Sequence, residues 1–137
     1  MKKLSSNSLR RFKESCATDI GVEELRNEKE LIRKFDEWIA SKAYYRVDTA
    51  MHQVAERLGV TRGELSWVCR RVYGDNFLSL RRRLRLGDAS RLIAEYPELP
   101  FSVIAERVGI PDKTNFRRQF FSEFGMSPGE WREKHRR

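Results

Sequence analysis

Two closely similar heptapeptides occur in this chain, and this repeat constrains the fold more than any other feature. The first copy, VAERLGV, covers residues 54–60, and the second, IAERVGI, covers residues 104–110. The copies differ only by exchanges among valine, leucine and isoleucine, a match too close for chance. An internal repeat of this kind indicates that one supersecondary unit is used twice. The chain is therefore predicted to contain two copies of one small helical unit.

Each copy is surrounded by the residue types that a helix-turn-helix requires. The small residues Ala55 and Ala105 let the first helix approach the second. Gly59 and Gly109 tolerate the left-handed backbone that ends the first helix. The residue buried after the turn is Val60 in one copy and Ile110 in the other, and the N-caps of the second helices are Thr61 and Asp112. The apolar face of the second helix is formed by Leu65, Val68, Cys69 and Val72 in the first copy and by Phe116, Phe120 and Phe124 in the second. One such pattern also fits helical hairpins in general, whereas two in tandem indicate paired helix-turn-helix units.

The chain is strongly basic. Its 137 residues include 28 lysines and arginines against 20 acidic residues, which gives a net charge of +8. A small basic domain needs an anionic partner in its explanation, nucleic acid first and an acidic membrane surface second. The alternative is a generic basic surface. Hydrophobic residues make up 39% of the chain, which is enough for a globular core.

The remaining segments extend the repeat into an all-α domain of about seven helices. Residues 1–27 are predicted to form a flexible tail or linker remnant, and residues 28–137 the tandem domain, with a first helix over about 22–42. The first helix-turn-helix unit covers about residues 48–74, a connecting helix about 76–96, and the second unit about 100–125. Ser127-Pro128-Gly129-Glu130 is a capping box that starts a last helix. No segment alternates like a strand.

Apolar residues recur at helical spacing in the two longest predicted helices. In the first helix they are Leu25, Ile32 and Ile39, with Leu31, Phe35 and Trp38 widening the stripe. In the connecting helix they are Phe77, Leu80, Leu84, Ala89, Leu92 and Ile93, and Pro97 and Pro100 stop that helix. Gly74 and Gly125 are expected to end the second helices of the two units.

The reactive side chains do not indicate an enzyme. Cys16 and Cys69 suggest no disulfide scaffold, and with His52 and His135 they complete no zinc set, so reduced thiols and a cytoplasmic location are expected. Neither cysteine has an activating histidine, and no glycine-rich phosphate loop or catalytic carboxylate pair stands out. We expect no metal and no cofactor. No apolar run reaches the length of a membrane span, and the N-terminus has no signal-peptide pattern.

Docking one face of each second helix leaves the opposite face outward. The outward positions are Arg62, Gly63, Ser66, Trp67 and Arg70 in the first unit and Lys113, Thr114, Arg117 and Arg118 in the second. These positions are candidates for reading DNA bases. The alternative for each arginine is an ordinary solvated helix face. Trp67 either packs on a thymine methyl or sugar or is partly buried under the connecting helix.

The residues from about 28 to 137 resemble the AraC/XylS family of bacterial transcription regulators, specifically their C-terminal DNA-binding domain. The most specific stretch comprises Ile104, Ala105, residues 109–112, residues 115–120, residues 124–128, Trp131 and Arg132. Leu84, Arg85, Leu86, Ala89 and Leu92 are similar to the connecting helix of the family. Residues 38–77 look like the Bacteroidetes branch, whose members often carry an upstream sensor or membrane part.

The resemblance implies a seven-helix fold whose two recognition helices enter successive major-groove segments. It places base reading on Gly63, Ser66 and Trp67 and on Lys113, Thr114, Arg117 and Arg118. Candidate phosphate contacts are Thr61, Arg71, Ser102, Asn115 and Arg132. The chain departs from the family at Cys69, where a large apolar residue is usual, and at Gly63 and Trp67. Either the second unit is therefore the stronger reader, or the first unit reads different bases.

These features predict a cytoplasmic, non-enzymatic transcription regulator that binds specific double-stranded DNA, with activation expected and repression as the alternative. RNA polymerase is a further expected partner. The upstream sensor domain typical of the family is absent, so the chain is either an excised C-terminal part or a short stand-alone member. The alternative function is a helical protein-interaction module that docks on RNA polymerase or a partner regulator, with only the second unit reading DNA.

Overall fold

The computed structural model describes the backbone of residues 21–136 and the side chains of residues 27–136. The described part consists of helices joined by turns and loops and contains no strand. Its seven α-helices are α1 Gly21–Ala40, α2 Met51–Leu58, α3 Arg62–Tyr73, α4 Phe77–Glu95, α5 Phe101–Arg107, α6 Lys113–Phe124 and α7 Pro128–Lys134, and a 3-10 turn covers Ala43–Tyr45. The prediction of an all-α chain with about seven helices is confirmed. Residues 21–27, which the predicted boundaries assign to the tail, are helical, and residues 1–20 lie outside the described part.

The chain folds into two compact units. Within the described residues, the first unit contains 21–41 and 51–77, and the second contains 42–50 and 78–136. The connecting helix α4 therefore belongs to the second unit for nearly all of its length. Residues 42–50 also belong to the second unit, although they lie between α1 and α2 in the sequence. We name residues 42–50 the brace segment.

Aromatic side chains form the core of the first unit together with the buried Val54, Leu65, Val68 and Cys69. The ring of Phe35 stacks on Trp38 at 5.4 Å between centroids and meets the edge of Tyr73 at 5.6 Å. Trp38 in turn contacts Phe77 at 5.8 Å. The buried face of α1 is therefore centred on Phe35 and Trp38 and not on the predicted line of Ile32 and Ile39, which are only half-buried. The side chain of Leu25, also placed on that stripe, lies outside the described residues.

Aliphatic residues of α4, α5 and the turn after α5 form the core of the second unit with two phenylalanines of α6, and further aromatic rings close it. Its buried members are Leu86, Ala89, Ile93, Ile104, Ala105, Val108, Ile110, Phe116 and Phe120. The half-buried rings of Phe124 and Trp131 lie 4.8 Å apart at its edge. The Trp131 Nε1 donates to the Ser90 carbonyl at 3.0 Å, which fixes α7 against α4. Leu84 and Leu92, predicted for the apolar face of α4, are half-buried.

Two charged residues of α4 that the apolar pattern did not single out are buried against the brace segment. Arg85 is only 7% exposed, and its guanidinium donates to the carbonyls of Tyr44 at 2.6 Å and Arg46 at 2.7 Å. It also donates to the Thr49 hydroxyl at 2.9 Å. Burial, together with the charge of Arg81, lowers the pKa of Arg85 to about 10. Because buried polar groups are costly unless they are hydrogen-bonded, these contacts fix the brace segment on α4.

Asp88, one turn further along α4, holds the same segment from its other end. Its carboxylate accepts from the Tyr44 hydroxyl at 2.6 Å, the Tyr45 hydroxyl at 2.8 Å and the Lys42 ammonium at 3.2 Å. Arg91 also pairs with this carboxylate. Burial alone would raise the pKa of Asp88, but the donated hydrogen bonds outweigh it and lower the pKa below its usual value. Asp88 therefore stays ionised and anchors both tyrosines.

Candidate nucleic-acid interface

The two repeat copies form turns of the same geometry. Gly59 has a φ of 72° and Gly109 a φ of 92°, so both adopt the left-handed backbone that was predicted. In each turn the next residue donates its N–H back to the alanine carbonyl, Val60 to Ala55 at 3.0 Å and Ile110 to Ala105 at 2.9 Å. Both alanines are buried. Each copy is therefore a helix-turn-helix, formed by α2 and α3 in the first unit and by α5 and α6 in the second.

The second helices of both copies begin and end as the sequence predicts. The Thr61 hydroxyl accepts from the Glu64 N–H, and the Glu64 carboxylate accepts from the Thr61 N–H, which completes a capping box. The Asp112 carboxylate accepts from the Asn115 N–H at 2.8 Å. Gly74 and Gly125 end α3 and α6 with left-handed φ values of 71° and 74°. Each helix is thereby fixed at 12 residues.

The inner faces of α3 and α6 pack largely as predicted. Leu65, Val68 and Cys69 are buried in the first copy, and Phe116 and Phe120 in the second. Val72 was placed on the buried face of α3, but its side chain is 42% exposed, so that prediction is wrong. It follows Cys69 by three positions in the last turn of α3, where Tyr73 contacts the aromatic core instead.

The outer faces of the two helices differ. In α6 the four base-reading candidates, Lys113, Thr114, Arg117 and Arg118, are all exposed. In α3, Arg62, Gly63 and Arg70 are exposed, whereas Ser66 and Trp67 are half-buried. The Arg118 guanidinium donates to the side-chain oxygen of Asn115, one turn earlier. Trp67 is therefore neither a core residue nor a fully exposed one.

The five phosphate-contact candidates differ in exposure and in their contacts. Thr61 and Ser102 are exposed near the first turns of α3 and α5, and Arg71 and Asn115 are half-buried. Arg132 differs from these: its guanidinium donates to the carbonyls of Ile93, Tyr96 and Leu99, at 3.3, 3.1 and 2.8 Å, and lies over the ring of Phe101.

The contacts of Arg132 argue against a phosphate role. The carbonyls of Ile93 and Tyr96 lie at the C-terminal end of α4, where the last turn has no helical donors. Three of the five guanidinium N–H groups are used to satisfy them and the Leu99 carbonyl. Arg132 is therefore a structural residue that ties α7 to the end of α4.

A groove beside α6 brings several predicted residues together. It is lined by Phe101, Ser102, Lys113, Phe116, Arg117, Ser127, Pro128 and Gly129. The Ser102 hydroxyl thus shares one concave surface with the ammonium of Lys113 and the guanidinium of Arg117. Two cations and a hydroxyl donor are the groups that proteins use to contact DNA phosphates.

One exposed residue of α6 was missed by the sequence reasoning. Phe121 is 55% exposed, although Phe116, Phe120 and Phe124 of the same helix pack toward the core. It follows Arg117 by four positions and Arg118 by three, which places it on the same helical stripe. The 3.6-residue period by itself places Phe121 on this outward stripe.

Two further observations concern metal binding and membrane crossing. Within residues 27–136, no group of three histidine, cysteine or acidic side chains is arranged to hold a metal ion. None of the helices described is both long enough and apolar enough to cross a membrane.

The sequence and fold have known relatives. Residues 54–134 match a family model described as a helix-turn-helix domain. The RCS-specific HTH-type transcriptional activator RclR of Escherichia coli (strain K12) is 36% identical over 75 residues, which is 55% of this chain and 26% of RclR. This chain thus spans about a quarter of the length of that curated relative.

Two solved structures share the fold and part of the sequence. The C-terminal domain of AraT, a response regulator from Geobacillus stearothermophilus, has a TM-score of 0.69 and 31% identity, covering 76% of this chain and 84% of that one. The C-terminal domain of the two-component response regulator yesN from Fusobacterium nucleatum has a TM-score of 0.64 and 27% identity, covering 77% and 98%. This chain therefore belongs to the AraC-type helix-turn-helix family, as the resemblance predicted.

Proposed function

We propose that this chain binds specific sequences of double-stranded DNA through α3 and α6 and regulates transcription, as an activator. One observation carries the proposal: two helix-turn-helix copies of the same turn geometry each present a capped helix of 12 residues with a polar or basic outer face. The net charge of +8 supplies the attraction to the phosphate backbone. Family membership supports the same function.

Base recognition is assigned to the outward side chains of the two helices. Arg117 and Arg118 suit the paired acceptors of guanine in the major groove, since arginine donates to both at once. Lys113 is a further guanine reader, and Thr114 can pair with either kind of base. In α3 the readers are Arg62, Gly63, Ser66, Trp67 and Arg70, where Gly63 allows close approach of the backbone and Trp67 offers an apolar ring edge.

Phosphate contacts would position the protein without selecting a sequence. We assign them to Thr61, Arg71, Ser102 and Asn115, and we leave out Arg132 because it is engaged by backbone carbonyls. Ser102 lines a groove beside the base-reading candidates Lys113 and Arg117, so a phosphate held there would lie next to the bases that α6 reads. Thr61 keeps its hydroxyl proton for a phosphate while its oxygen caps α3.

One molecule is expected to read two consecutive major-groove segments. Helix α4 joins the two copies in the sequence and contains 19 residues, so at about 1.5 Å per residue it is roughly 28 Å long. Successive major-groove segments on one face of DNA are about 34–36 Å apart. If the two recognition helices lie closer together than this when DNA is bound, bending the DNA would cost about 1–6 kcal/mol.

We place the protein in the cytoplasm as a non-enzymatic regulator with RNA polymerase as a second partner. The thiol of Cys69 is fully buried, and burial raises its pKa to about 12, which is unsuited to a nucleophile. AraT and yesN are response regulators by name, and the matching parts are their C-terminal domains. On this basis we expect a separate sensor or receiver to control this domain.

Protein interaction is a second candidate function for the first copy. Ser66 and Trp67 are half-buried and Val72 is exposed, so α3 presents a more apolar outer surface than a base reader normally does. A protein-interaction module on RNA polymerase or a partner regulator would use such a surface, and α6 alone would then read DNA.

Footprinting on an operator selected from random DNA distinguishes these functions. Two protected patches centred about 10 base pairs apart, at one protein per DNA, are expected if both copies read DNA. A single short patch supports the interaction module instead. The selected operator also allows a salt titration, in which log K should fall with log salt at a slope near −0.9 per phosphate contact.

The role of α6 is tested by Arg118→Ala, with Arg136→Ala as a control of equal charge change outside the recognition helices. Arg118→Ala should weaken operator binding by about 1–3 kcal/mol if its partner is a guanine. Its melting temperature should stay close to that of the wild type, because the side chain is exposed. Equal losses for both variants, or a flat salt response, would contradict the proposal.

A further inference from the structure

Phe121 occupies the position of α6 that corresponds to Arg70 in α3. Both helices contain 12 residues, between the N-caps Thr61 and Asp112 and the C-caps Gly74 and Gly125. When these ends are aligned, the buried Cys69 falls on Phe120, and the half-buried Trp67 falls on Arg118. The next residue of the stripe is Arg70 in one copy and Phe121 in the other, and both are exposed.

The chemistry of the two positions is different. An arginine in the third turn of a recognition helix can pair with guanine, whereas a phenylalanine ring can only make apolar contact, which in the major groove means the methyl group of thymine. Phe121 is 55% exposed and is preceded on its stripe by the cations of Arg117 and Arg118. These cations would hold a polyanion against the same face of α6, so the ring would be covered when DNA is bound.

We propose that Phe121 is a specificity-determining residue of the second copy and selects thymine through its 5-methyl group. The proposal rests on the DNA-binding function proposed above. It makes the operator asymmetric in chemistry: the third turn of α6 requires a thymine, and the third turn of α3 favours a guanine. Burial of the ring against a methyl group removes apolar surface from water on both sides, and this gain exists for thymine but not for cytosine or uracil.

The test uses the whole chain and the operator selected as described above, with each thymine replaced in turn by deoxyuridine. This replacement removes one methyl group and leaves base pairing unchanged. In the wild type, one position within the patch protected by α6 should lose about fourfold in affinity, the value of one buried methyl-sized group. In Phe121→Ala that position should become insensitive to the replacement. Tyr96→Ala removes another exposed aromatic residue outside the recognition helices and should retain the wild-type pattern.

A second variant tests the correspondence between the two copies. Phe121→Arg places in α6 the residue type that α3 carries at the equivalent position. Repeating the operator selection with Phe121→Arg should change the preferred base at that position from thymine to guanine.

The outcomes separate this inference from the function on which it rests. If the wild type binds its operator but no deoxyuridine replacement weakens binding, or if the sensitive position persists in Phe121→Ala, the assignment of Phe121 is overturned and DNA binding stands. If Phe121→Ala changes only the binding of RNA polymerase to the DNA complex, Phe121 is a protein contact and the assignment is again overturned. If no operator can be selected at all, the proposed function itself fails.

Discussion

The two helix-turn-helix copies share a heptapeptide, yet their turns stand in different surroundings. A Cβ atom added to Gly59 would have the Lys34 ammonium as its nearest neighbour, at 3.9 Å. A Cβ atom added to Gly109 would lie 2.4 Å from the carbonyl oxygen of Tyr45 and 3.0 Å from the Arg85 guanidinium. The first glycine is needed only for its backbone angle. The second is also needed because the brace segment passes directly over it.

The comparison shows how one motif can be supported in two ways. In the second copy, Arg85 and Asp88 fix the brace segment by buried hydrogen bonds, and the segment covers the turn before α6. In the first copy, the turn is open, and α3 is held by the aromatic cluster of Phe35, Trp38 and Tyr73. The second copy also presents the more strongly basic recognition face.

The largest expected effect comes from replacing the two turn glycines. Gly109→Ala should destabilise the protein by about 2–5 kcal/mol, since a left-handed residue with a Cβ costs about 1–2 kcal/mol and overpacking adds about 1–3 kcal/mol. Gly59→Ala should cost only the first of these, about 1–2 kcal/mol. Urea unfolding of both variants measures the difference, and equal losses would show that the brace segment yields freely.

The next effect tests the brace directly through Asp88→Asn. Hydrogen bonds to a charged group contribute about 1.5–3 kcal/mol, so a loss of this order is expected at neutral pH. Because the folded-state pKa of Asp88 is lowered, its contribution is present above the usual aspartate pKa of about 3.9 and is lost as the pH falls through the lower folded value.

Two measurements check the Asp88 prediction. Between neutral pH and pH 2, the free energy of unfolding should depend less on pH in Asp88→Asn than in the wild type. The control Glu123→Gln, which changes an exposed side chain, should show the wild-type dependence. Amide hydrogen exchange should become faster in α5 and α6 while α2 and α3 keep their protection. Equal acceleration in both copies would mean that the brace does not distinguish them.

A similar effect in both copies is expected when the buried alanines are enlarged. Ala55→Leu and Ala105→Leu should each cost about 1–3 kcal/mol, because both side chains are fully enclosed where the two helices of the unit meet. Thermal unfolding of the two variants provides the measurement. If only Ala105→Leu is destabilising, the contrast between the copies extends beyond the turn to the helix contact itself.

The smallest effect concerns the helix caps. Glu64→Ala removes half of the capping box of α3, and the loss should be about 0.5–1 kcal/mol with no change in α6. Asp112→Ala removes the single side-chain cap of α6 and should cost about 1 kcal/mol. Differential scanning calorimetry resolves both. No loss for Asp112→Ala would indicate that the brace segment alone fixes the start of α6.

Much of the fold follows from local signals in the sequence. The repeat, the glycines Gly59 and Gly109, and the caps Thr61 and Asp112 define both helix-turn-helix units, and the structure confirms each of them. These signals are readable because backbone angles and cap hydrogen bonds involve residues only a few positions apart. The outward stripe of α6 follows in the same way from the helical period, which also places Phe121 on it although the predicted outward positions do not include that residue.

The roles of Arg85, Asp88 and Arg132 were decided by the tertiary structure alone. Each is a charged residue on a helix, and by itself it would be read as solvated or as a DNA contact. Their hydrogen-bond partners in other segments lie 33 to 46 positions away in the sequence: Arg132 reaches Leu99, and Asp88 reaches Lys42. Burial and hydrogen bonding at such separations depend on which surfaces meet after the helices have formed. The sequence alone therefore determined the repeated unit and its turns, and the packing of the chain decided which charged side chains support the fold and which remain available to DNA.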